Sequence, residues 1–248
     1  MTMTTVRGTS IYFEVQGSGA PVLLLHGGFC SLEMMRPQLE ALGADYTVYA
    51  PERPGHGRSP DRPGPITYDE SVADTIAFLD EVGVENAHIV GFSDGAIIGL
   101  LIALRHPARI RSLVAISGNL DPSAFRSDDE NGGIGADAAP GPDHTREFYD
   151  ALSPDGPEHA DVVVEKLMRL WTTEPAIDPA ELASITVPTM IMAGDHDVIR
   201  LEHSALMAAS VPGAQLCVVP GAGHGLLDER GSFVTFAVGE FLKDVAGD

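Results

Sequence analysis

The sequence predicts an α/β fold in which a mostly parallel sheet is covered by helices on both faces. Short apolar runs alternate with helical patterns along the chain, as expected of strands joined by crossover helices. Some runs, such as Val22–Leu25, are continuously apolar, which is typical of strands buried on both faces. The length of 248 residues suits one such domain with a large core. We therefore expect a single domain built on one sheet.

The predicted strands share aliphatic and β-branched residues and are bounded by Gly, Pro or polar turn residues. In the first half of the chain they are Ser10–Val15, Val22–Leu25, Tyr46–Ala50, His88–Val90 and Ile110–Ile116. In the second half they are Thr189–Ala193 and Leu216–Val219, and a helical pattern follows each of them.

Three helices are predicted between the strands of the first half. The first covers Leu32–Leu42, and the second begins after Thr67, which forms a predicted capping box with Glu70. The third runs from about residue 96 to Arg105 and ends at His106, before a proline. Because it is apolar on most sides, we expect it to be buried.

The alternation of strands and helices breaks between Asn119 and Ser184. We therefore assign residues 1–118 and 185–248 to the core and residues 119–184 to an insertion. Its part from Asp128 to Asp143 is rich in Gly, Asp and Pro and is predicted to be a mobile loop. The segment Ala160–Trp171 is predicted to be a helix with one apolar stripe, formed by Val163, Leu167, Leu170 and Trp171.

The composition of the chain excludes some classes of binding partner. With a formal net charge of −21, from 15 Lys and Arg against 36 Asp and Glu, nucleic acid is excluded as a partner. The acidic excess indicates either a solvated surface or the steering of a cationic substrate. No apolar run could span a membrane, and the N-terminus lacks a secretory signal, so we expect a cytoplasmic protein without membrane partners. The two cysteines form no disulfide framework, and the sequence leaves the oligomeric state open.

The segment from Gly91 to Gly95 reads G-x-S-x-G and makes Ser93 a candidate nucleophile. A serine hydroxyl is a weak nucleophile at neutral pH, so it must be presented on a sharp turn beside a base. Glycines two residues before and after the serine allow the backbone to make that turn.

A base and a carboxylate are predicted in the loops that follow the last two strands. His224 follows the final strand, from where a loop can return the imidazole to Ser93. Asp197 is expected to orient this histidine, because it lies far enough beyond the preceding strand to reach it. Asp195 is expected to close its turn through its own backbone. The oxyanion donors are expected to be backbone N–H groups, one from Asp94 and one from the loop His26–Phe29, with Gly28 preferred over Phe29.

The remaining histidines do not form a second site. We expect His26 and His56 to brace loops near Ser93 through hydrogen bonds. The other histidines show no ligand spacing with cysteine or with one another, so neither a metal nor a cofactor is predicted.

The order Ser93, Asp197, His224, with His26-Gly27-Gly28 upstream, resembles the α/β-hydrolase superfamily. Two further features strengthen the resemblance. The loop Arg53–Ser59 is similar to the family's R-x-G-x-G-x-S segment, and the insertion stands where that family carries its cap. The resemblance implies a small helical cap. It also implies ester-type chemistry, because the nucleophile is a serine; members of the family that carry out dehalogenation or epoxide opening have an aspartate at that position.

Within the superfamily, Ser93-Asp94-Gly95 resembles the biphenyl-hydrolase-like serine esterases. That resemblance implies that the Asp94 carboxylate binds a substrate ammonium, although the helix dipole alone also favours an acid there. The expected function is hydrolysis of a small carboxylic ester or lactone, with amino-acid esters as one option. The same residues are compatible with a thioester, a peroxyacid or a C–C bond, and a ligand-binding receptor is the alternative from another class. Pocket-lining residues are predicted to be Phe29, Asp94, Asn119, Phe148, Tyr149 and Trp171.

Overall fold

A single sheet organises the computed structural model, which describes residues 2–126 and 144–246. The described strands form one eight-stranded sheet in the order β1-β2-β4-β3-β5-β6-β7-β8. Numbered along the chain, they are β1 (Thr2–Val6), β2 (Thr9–Gly17), β3 (Pro21–Leu25), β4 (Thr47–Pro51), β5 (Ala87–Phe92), β6 (Ile110–Ile116), β7 (Thr189–Gly194) and β8 (Gln215–Val219).

The pairing confirms a mostly parallel sheet. Strand β2 runs antiparallel to both β1 and β4, whereas all pairs from β4 to β8 are parallel. Strand β1 was not predicted from the sequence; it is an edge strand whose residues are mostly exposed. Because such a strand is held by its pairing with β2 and buries little, its apolar pattern is weak.

Helices cover both faces of this sheet, as predicted. They are α1 (Arg36–Leu42), α2 (Tyr68–Glu81), α3 (Asp94–Arg105), α4 (His144–Leu152), α5 (Ala160–Thr173), α6 (Leu201–Ser210), α7 (Leu226–Glu229) and α8 (Gly231–Ala246), with 3₁₀ turns between several of them. None of the helices in the described part of the chain has the length and apolar character needed to cross a bilayer.

Alternate side chains of the central strands enter two separate cores. Leu23 and Ile89 pack with residues of α2 and α3 on one face. Their neighbours Leu24 and Val90 pack with residues of α1 and α8 on the other. This alternation follows from the two-residue repeat of a strand. Helix α3 is buried along nearly its whole length, as its composition predicted.

Two local predictions need correction. The predicted helix at Leu32–Leu42 divides into a 3₁₀ turn and α1, with Pro37 in the first turn of α1. The capping box before α2 is one-sided: Thr67 Oγ1 accepts the Glu70 N–H at 3.1 Å, but the Glu70 carboxylate is directed to arginines.

The chain between β6 and β7 contains α4 and α5 in its described part. Helix α5 buries the predicted stripe residues Val163, Leu167 and Leu170, and Trp171 is half-buried at its end. The loop predicted at Asp128–Asp143 lies outside the described residues.

Candidate active site

Ser93 lies on a strained turn between β5 and α3. Its backbone has φ 52° and ψ −116°, a left-handed conformation that non-glycine residues rarely adopt. The Ser93 N–H donates to Ile116 O at 2.8 Å, which fixes the turn at the carboxyl edge of the sheet. The turn therefore presents the Ser93 hydroxyl above that edge.

The two glycines of the pentapeptide are required by backbone packing. A Cβ added at Gly91 would lie 2.2 Å from Gly95 O, and one added at Gly95 would lie 2.0 Å from Leu25 O. Both obstacles are backbone atoms and cannot rotate away. The glycines thus allow α3 to begin directly against β3 and β5.

Ser93, His224 and Asp197 are brought together in a hydrogen-bonded chain. The Ser93 hydroxyl lies 3.1 Å from His224 Nε2, and His224 Nδ1 lies 2.8 Å from Asp197 Oδ1. We assign the imidazole hydrogen to Nδ1, where it donates to the carboxylate, so that Nε2 accepts from the serine. This is the relation expected of a nucleophile, its base and the group that orients the base.

The electrostatics of this chain favour an ionised aspartate beside the imidazole. Burial alone lowers the pKa of His224, but the facing Asp197 carboxylate outweighs it and raises the pKa above 6.5. Burial alone raises the pKa of Asp197, but His224 and the donors Ser117 Oγ and Ile199 N hold it below 3.8. Asp197 is fully buried.

Asp195 bonds to its own backbone N–H, as predicted, and also to two backbone groups of another loop. Its Oδ1 accepts the N–H of Ala222 at 3.2 Å, and the pKa of Asp195 is lowered by backbone donors at Gly221 and Ala222. The side chain therefore ties the loop after β7 to the loop that carries His224. The two remote donors were not predicted, because they lie in a different loop of the chain.

The residues expected to supply the oxyanion donors, Gly28 and Asp94, line the same cavity as Ser93. Asp94 is the first residue of α3, where amide N–H groups have no acceptor within the helix. Gly28 lines the cavity beside Ser93, whereas Phe29 does not. Phe29 has a left-handed backbone, with φ 53°, and its ring stacks on Tyr149 at 5.1 Å.

The Asp94 side chain is buried and engaged by three partners. Tyr68 Oη and Trp171 Nε1 each donate to Asp94 Oδ1 at 2.9 Å. The second oxygen lies 3.7 Å from Arg53 Nη2, in an ion pair that solvent hardly reaches. The carboxylate next to the nucleophile is therefore already balanced by a cation of the same chain.

His26 and His56 brace the neighbouring loops, as expected. His26 Nε2 accepts the Arg53 N–H at 3.1 Å, and His26 Nδ1 lies 2.7 Å from Gly27 O. His56 Nδ1 lies 3.0 Å from Pro54 O. Burial lowers the pKa of both histidines, for His56 to about 3, so both rings are neutral. Among the described residues, no group of His, Cys, Asp and Glu side chains is arranged to hold a metal ion.

A cavity of about 420 Å³ opens at Ser93 and His224. Of the predicted lining residues, Asp94, Asn119 and Trp171 line it, while Phe29, Phe148 and Tyr149 do not. Tyr149 is instead buried against Phe29, and Phe148 lies near the ring of His144. The lining is mainly apolar and includes Met34, Phe92, Phe125, Val198 and Ile199, with polar groups at Tyr68, Thr145 and Glu174.

Besides several lining residues, three residues that contact Asp197 or Asp94 were not predicted from the sequence. Ser117 follows β6 directly and donates to Asp197. Its position at the carboxyl end of a parallel strand could have identified it as a candidate site residue. Arg53 begins the R-x-G-x-G-x-S segment but was not singled out within it. Tyr68, at the start of α2, gives no sequence signal for its contact with Asp94.

Comparison with known proteins identifies relatives that match most of the chain. A model described as the alpha/beta hydrolase family matches residues 22–235. A putative carbamate hydrolase RutD of Azorhizobium caulinodans is 31% identical over 232 residues, covering 86% of this chain and 88% of that protein. An uncharacterized carboxylesterase nap of Bacillus subtilis is 26% identical, covering 92% and 80%. The crystal structure of the enol-lactonase from Burkholderia xenovorans LB400 shares the fold, with TM-score 0.77 at 21% identity over 98% of this chain and 100% of that one.

Proposed function

Because this chain belongs to the α/β hydrolase family, we propose that it is a serine hydrolase that cleaves small carboxylic esters or lactones through an acyl-enzyme on Ser93. One observation carries the proposal: His224 lies between the Ser93 hydroxyl and the buried Asp197 carboxylate, within hydrogen-bond distance of both. The names of the relatives, which include a carboxylesterase and a carbamate hydrolase, agree with attack on an acyl carbon.

In the acylation step, Ser93 Oγ attacks the substrate carbonyl while His224 Nε2 takes the hydroxyl proton. The N–H groups of Asp94 and Gly28 stabilise the negative charge that develops on the carbonyl oxygen. Collapse of the intermediate breaks the bond to the alkoxy group, and protonated His224 returns the proton to that oxygen. The products are the acyl-enzyme and an alcohol, or a tethered hydroxyl where the substrate is a lactone.

In the deacylation step, His224 removes a proton from water, whose oxygen attacks the acyl carbon. Collapse of the second intermediate releases the carboxylic acid and restores the Ser93 hydroxyl. Asp197 stays ionised throughout, because its role is to stabilise the imidazolium that forms in both steps.

The cavity suggests which substrates the enzyme accepts. Its volume suits a small ester, and its apolar lining favours an uncharged acyl or alkoxy group. We further propose that residues 119–184 act as a cap over Ser93, since Trp171 from α5 both lines the cavity and bonds to Asp94.

Amino-acid esters are the second candidate substrate class. Two acidic residues, Asp94 and Glu174, are among those that line the cavity, and an ammonium site requires such residues. Against this candidate, Arg53 already faces Asp94, and Glu174 Oε2 accepts the Tyr68 N–H at 3.0 Å. A matched pair of esters with and without an α-amino group, assayed in wild type and Asp94→Asn, separates the candidates. We expect the two enzymes to show the same ratio of kcat/KM for the pair.

Labelling with a fluorophosphonate probe tests the reaction class. We expect one probe per chain in the wild type and none in Ser93→Ala, while Ser71→Ala, a serine of α2, labels like the wild type. A panel of esters, lactones, thioesters, peroxyacids and β-diketones, ranked by kcat/KM, then assigns the bond cleaved. A folded wild type that neither labels nor turns over any of them would contradict the proposal and favour a ligand-binding receptor.

A further inference from the structure

Arg53 is a buried cation that contacts both sides of the expected oxyanion hole. It lies in the loop after β4, and only 7% of its surface is exposed. We propose that Arg53 is a positioning residue that holds the two oxyanion donors, the N–H groups of Gly28 and Asp94, in the geometry that the reaction needs. This inference rests on the proposed hydrolase function. It gives a role to Arg53, which has none in the mechanism described above.

The first contact fixes the peptide between Gly27 and Gly28. Arg53 Nη2 donates to Gly27 O at 2.9 Å. In a trans peptide the N–H points away from the preceding C=O, so holding the Gly27 carbonyl also sets the direction of the Gly28 N–H. The only cis peptide in the described chain is at Glu174–Pro175, so the peptide between Gly27 and Gly28 is trans.

His26 reinforces the same peptide orientation. Its Nε2 accepts the backbone N–H of Arg53, which leaves the ring hydrogen on Nδ1 to donate to Gly27 O. The Gly27 carbonyl thus accepts from two buried donors at once. A rotation that turned the Gly28 N–H out of the site would leave both buried donors unpaired, which is unfavourable.

The second contact fixes the residue that carries the other donor. The same Arg53 nitrogen, Nη2, lies 3.7 Å from Asp94 Oδ2. With Tyr68 and Trp171 on the other oxygen, this ion pair restrains the Asp94 side chain at the beginning of α3. One guanidinium nitrogen therefore joins the loop after β3 to the first residue of α3.

The close packing at this junction explains why an arginine is suited to it. A Cβ added at Gly28 would lie 2.6 Å from Asp94 Oδ2, so the two donor segments are in contact and small displacements change their separation. A planar guanidinium can donate to Gly27 O while keeping its charge beside Asp94. Lysine has a single nitrogen on a flexible side chain, so it is less suited to hold both groups in place.

Kinetics of Arg53 variants test the proposal. In Arg53→Met we expect kcat for p-nitrophenyl butyrate to fall roughly 10²-fold with little change in KM, because displaced donors weaken only the transition state. The affinity for a trifluoromethyl ketone, which forms an oxyanion on Ser93, should fall by a similar factor. Arg53→Lys keeps the charge and should recover part of both losses.

Arg62→Met is the matched control, because Arg62 lies in the same loop and forms ion pairs with α2 away from the site. We expect it to keep the wild-type kcat and ketone affinity. An active wild type together with an Arg53→Met variant that matches Arg62→Met would overturn this inference alone. A wild type that neither labels nor turns over would overturn the proposed function, and this inference with it.

A crystal structure of the wild type with the trifluoromethyl ketone tests the geometry even if Arg53→Met does not fold. We expect the adduct oxygen within hydrogen-bond distance of Gly28 N and Asp94 N, with Gly27 O still bonded to Arg53. An oxygen bonded to Phe29 N, or a Gly27 carbonyl turned away from Arg53, would overturn the proposal.

Discussion

Ser117 Oγ donates a 2.5 Å hydrogen bond to Asp197 Oδ2, the carboxylate oxygen that His224 does not use. The other oxygen, Oδ1, accepts from His224 Nδ1 and from the backbone N–H of Ile199. Both oxygens of this fully buried carboxylate are thus satisfied by donors from three different parts of the chain. Because these donors stabilise the charged form, they keep Asp197 ionised and its plane aligned with the imidazole.

Replacing Ser117 with alanine should therefore affect both stability and catalysis. The lost donor leaves a buried carboxylate oxygen unpaired, so we expect Ser117→Ala to lower the free energy of unfolding by about 1–3 kcal/mol. We also expect a lower kcat for an ester substrate, since Asp197 is less firmly oriented toward His224. Thermal unfolding and steady-state kinetics measure the two effects.

Ser112→Ala is the matched control for this prediction. Ser112 is a buried serine of β6, the strand that Ser117 directly follows, and its Oγ bonds to His88 Nδ1 at 2.8 Å, away from Ser93. Its removal should reduce stability while kcat stays at the wild-type value. Equal kcat values in the two variants would show that Ser117 does not act through Asp197.

The pH dependence of kcat/KM should follow His224. The imidazole must be neutral to accept the Ser93 proton, so activity falls as the pH drops through its pKa. Burial lowers that pKa, but Asp197 raises it to a net value above 6.5, so the midpoint of the acid limb should lie above pH 6.5. In Asp197→Asn the raising charge is lost, and the residual activity should titrate at lower pH.

Asp94 offers a second check on the same profile. Its charge also raises the pKa of His224, more weakly than Asp197 does. Asp94→Asn should therefore shift the acid limb downward by a smaller amount than Asp197→Asn. A wild-type midpoint at or below pH 6.5, measured with a neutral ester, would contradict the assignment of His224 as the base.

Sequence patterns predicted those parts of the site that depend on local structure. The turn at Ser93 is encoded within five residues, because glycines are required where backbone contacts leave no room for a Cβ. His224 and Asp197 were found from their positions after strands, since parallel strands bring their following loops to one edge. The alternating strand and helix pattern likewise predicted the mostly parallel sheet.

Contacts between remote segments could not be predicted in the same way. Arg53 and Tyr68 meet Asp94 across 41 and 26 positions of the chain, and nothing in their immediate neighbours indicates that partner. Asp195 bonds to its own backbone as expected, but its additional bond to the N–H of Ala222 was not predicted. Strand β1 was missed because its burial is slight and its pairing with β2 supplies most of its contacts.

Alanine at Gly95 should disrupt the turn at Ser93. The added Cβ would lie 2.0 Å from Leu25 O, so α3 or β3 must shift, at a cost of about 1–3 kcal/mol or more. We expect Gly95→Ala to lower the melting temperature and to reduce kcat, because Ser93 and the Asp94 N–H move with α3. Differential scanning calorimetry and ester hydrolysis measure both changes.

Gly239→Ala is the matched control, because it adds the same methyl group at a helical glycine that has space for it. Gly239 lies in α8, and a Cβ added there meets no described atom within 4 Å. Since alanine favours a helix over glycine by roughly 1 kcal/mol, this variant should be more stable than the wild type and equally active. A stabilised Gly95→Ala would show that the turn tolerates a side chain.

Asp61 holds α5 against the core, and its removal should loosen the proposed cap. Asp61 Oδ2 accepts from Lys166 Nζ at 2.6 Å and from His159 Nε2 at 2.9 Å, and all but 7% of its side chain is buried. Asp61→Asn leaves the largely buried Lys166 ammonium without its carboxylate, which should destabilise the protein by about 1–3 kcal/mol. Because Trp171 of the same helix lines the cavity, we expect a clear rise in KM and only a small change in kcat.

Hydrogen exchange can locate the effect of this substitution. Amides of α5 should exchange faster in Asp61→Asn, while those of β5 and β6 keep their protection. Asp69→Asn is the matched control, since Asp69 pairs with Arg105 at a site where both side chains are at least half exposed. It should change neither exchange nor KM, because solvent screens such a pair. Unchanged exchange in α5 combined with a lower kcat in Asp61→Asn would mean that Asp61 acts on the chemistry and does not hold the cap.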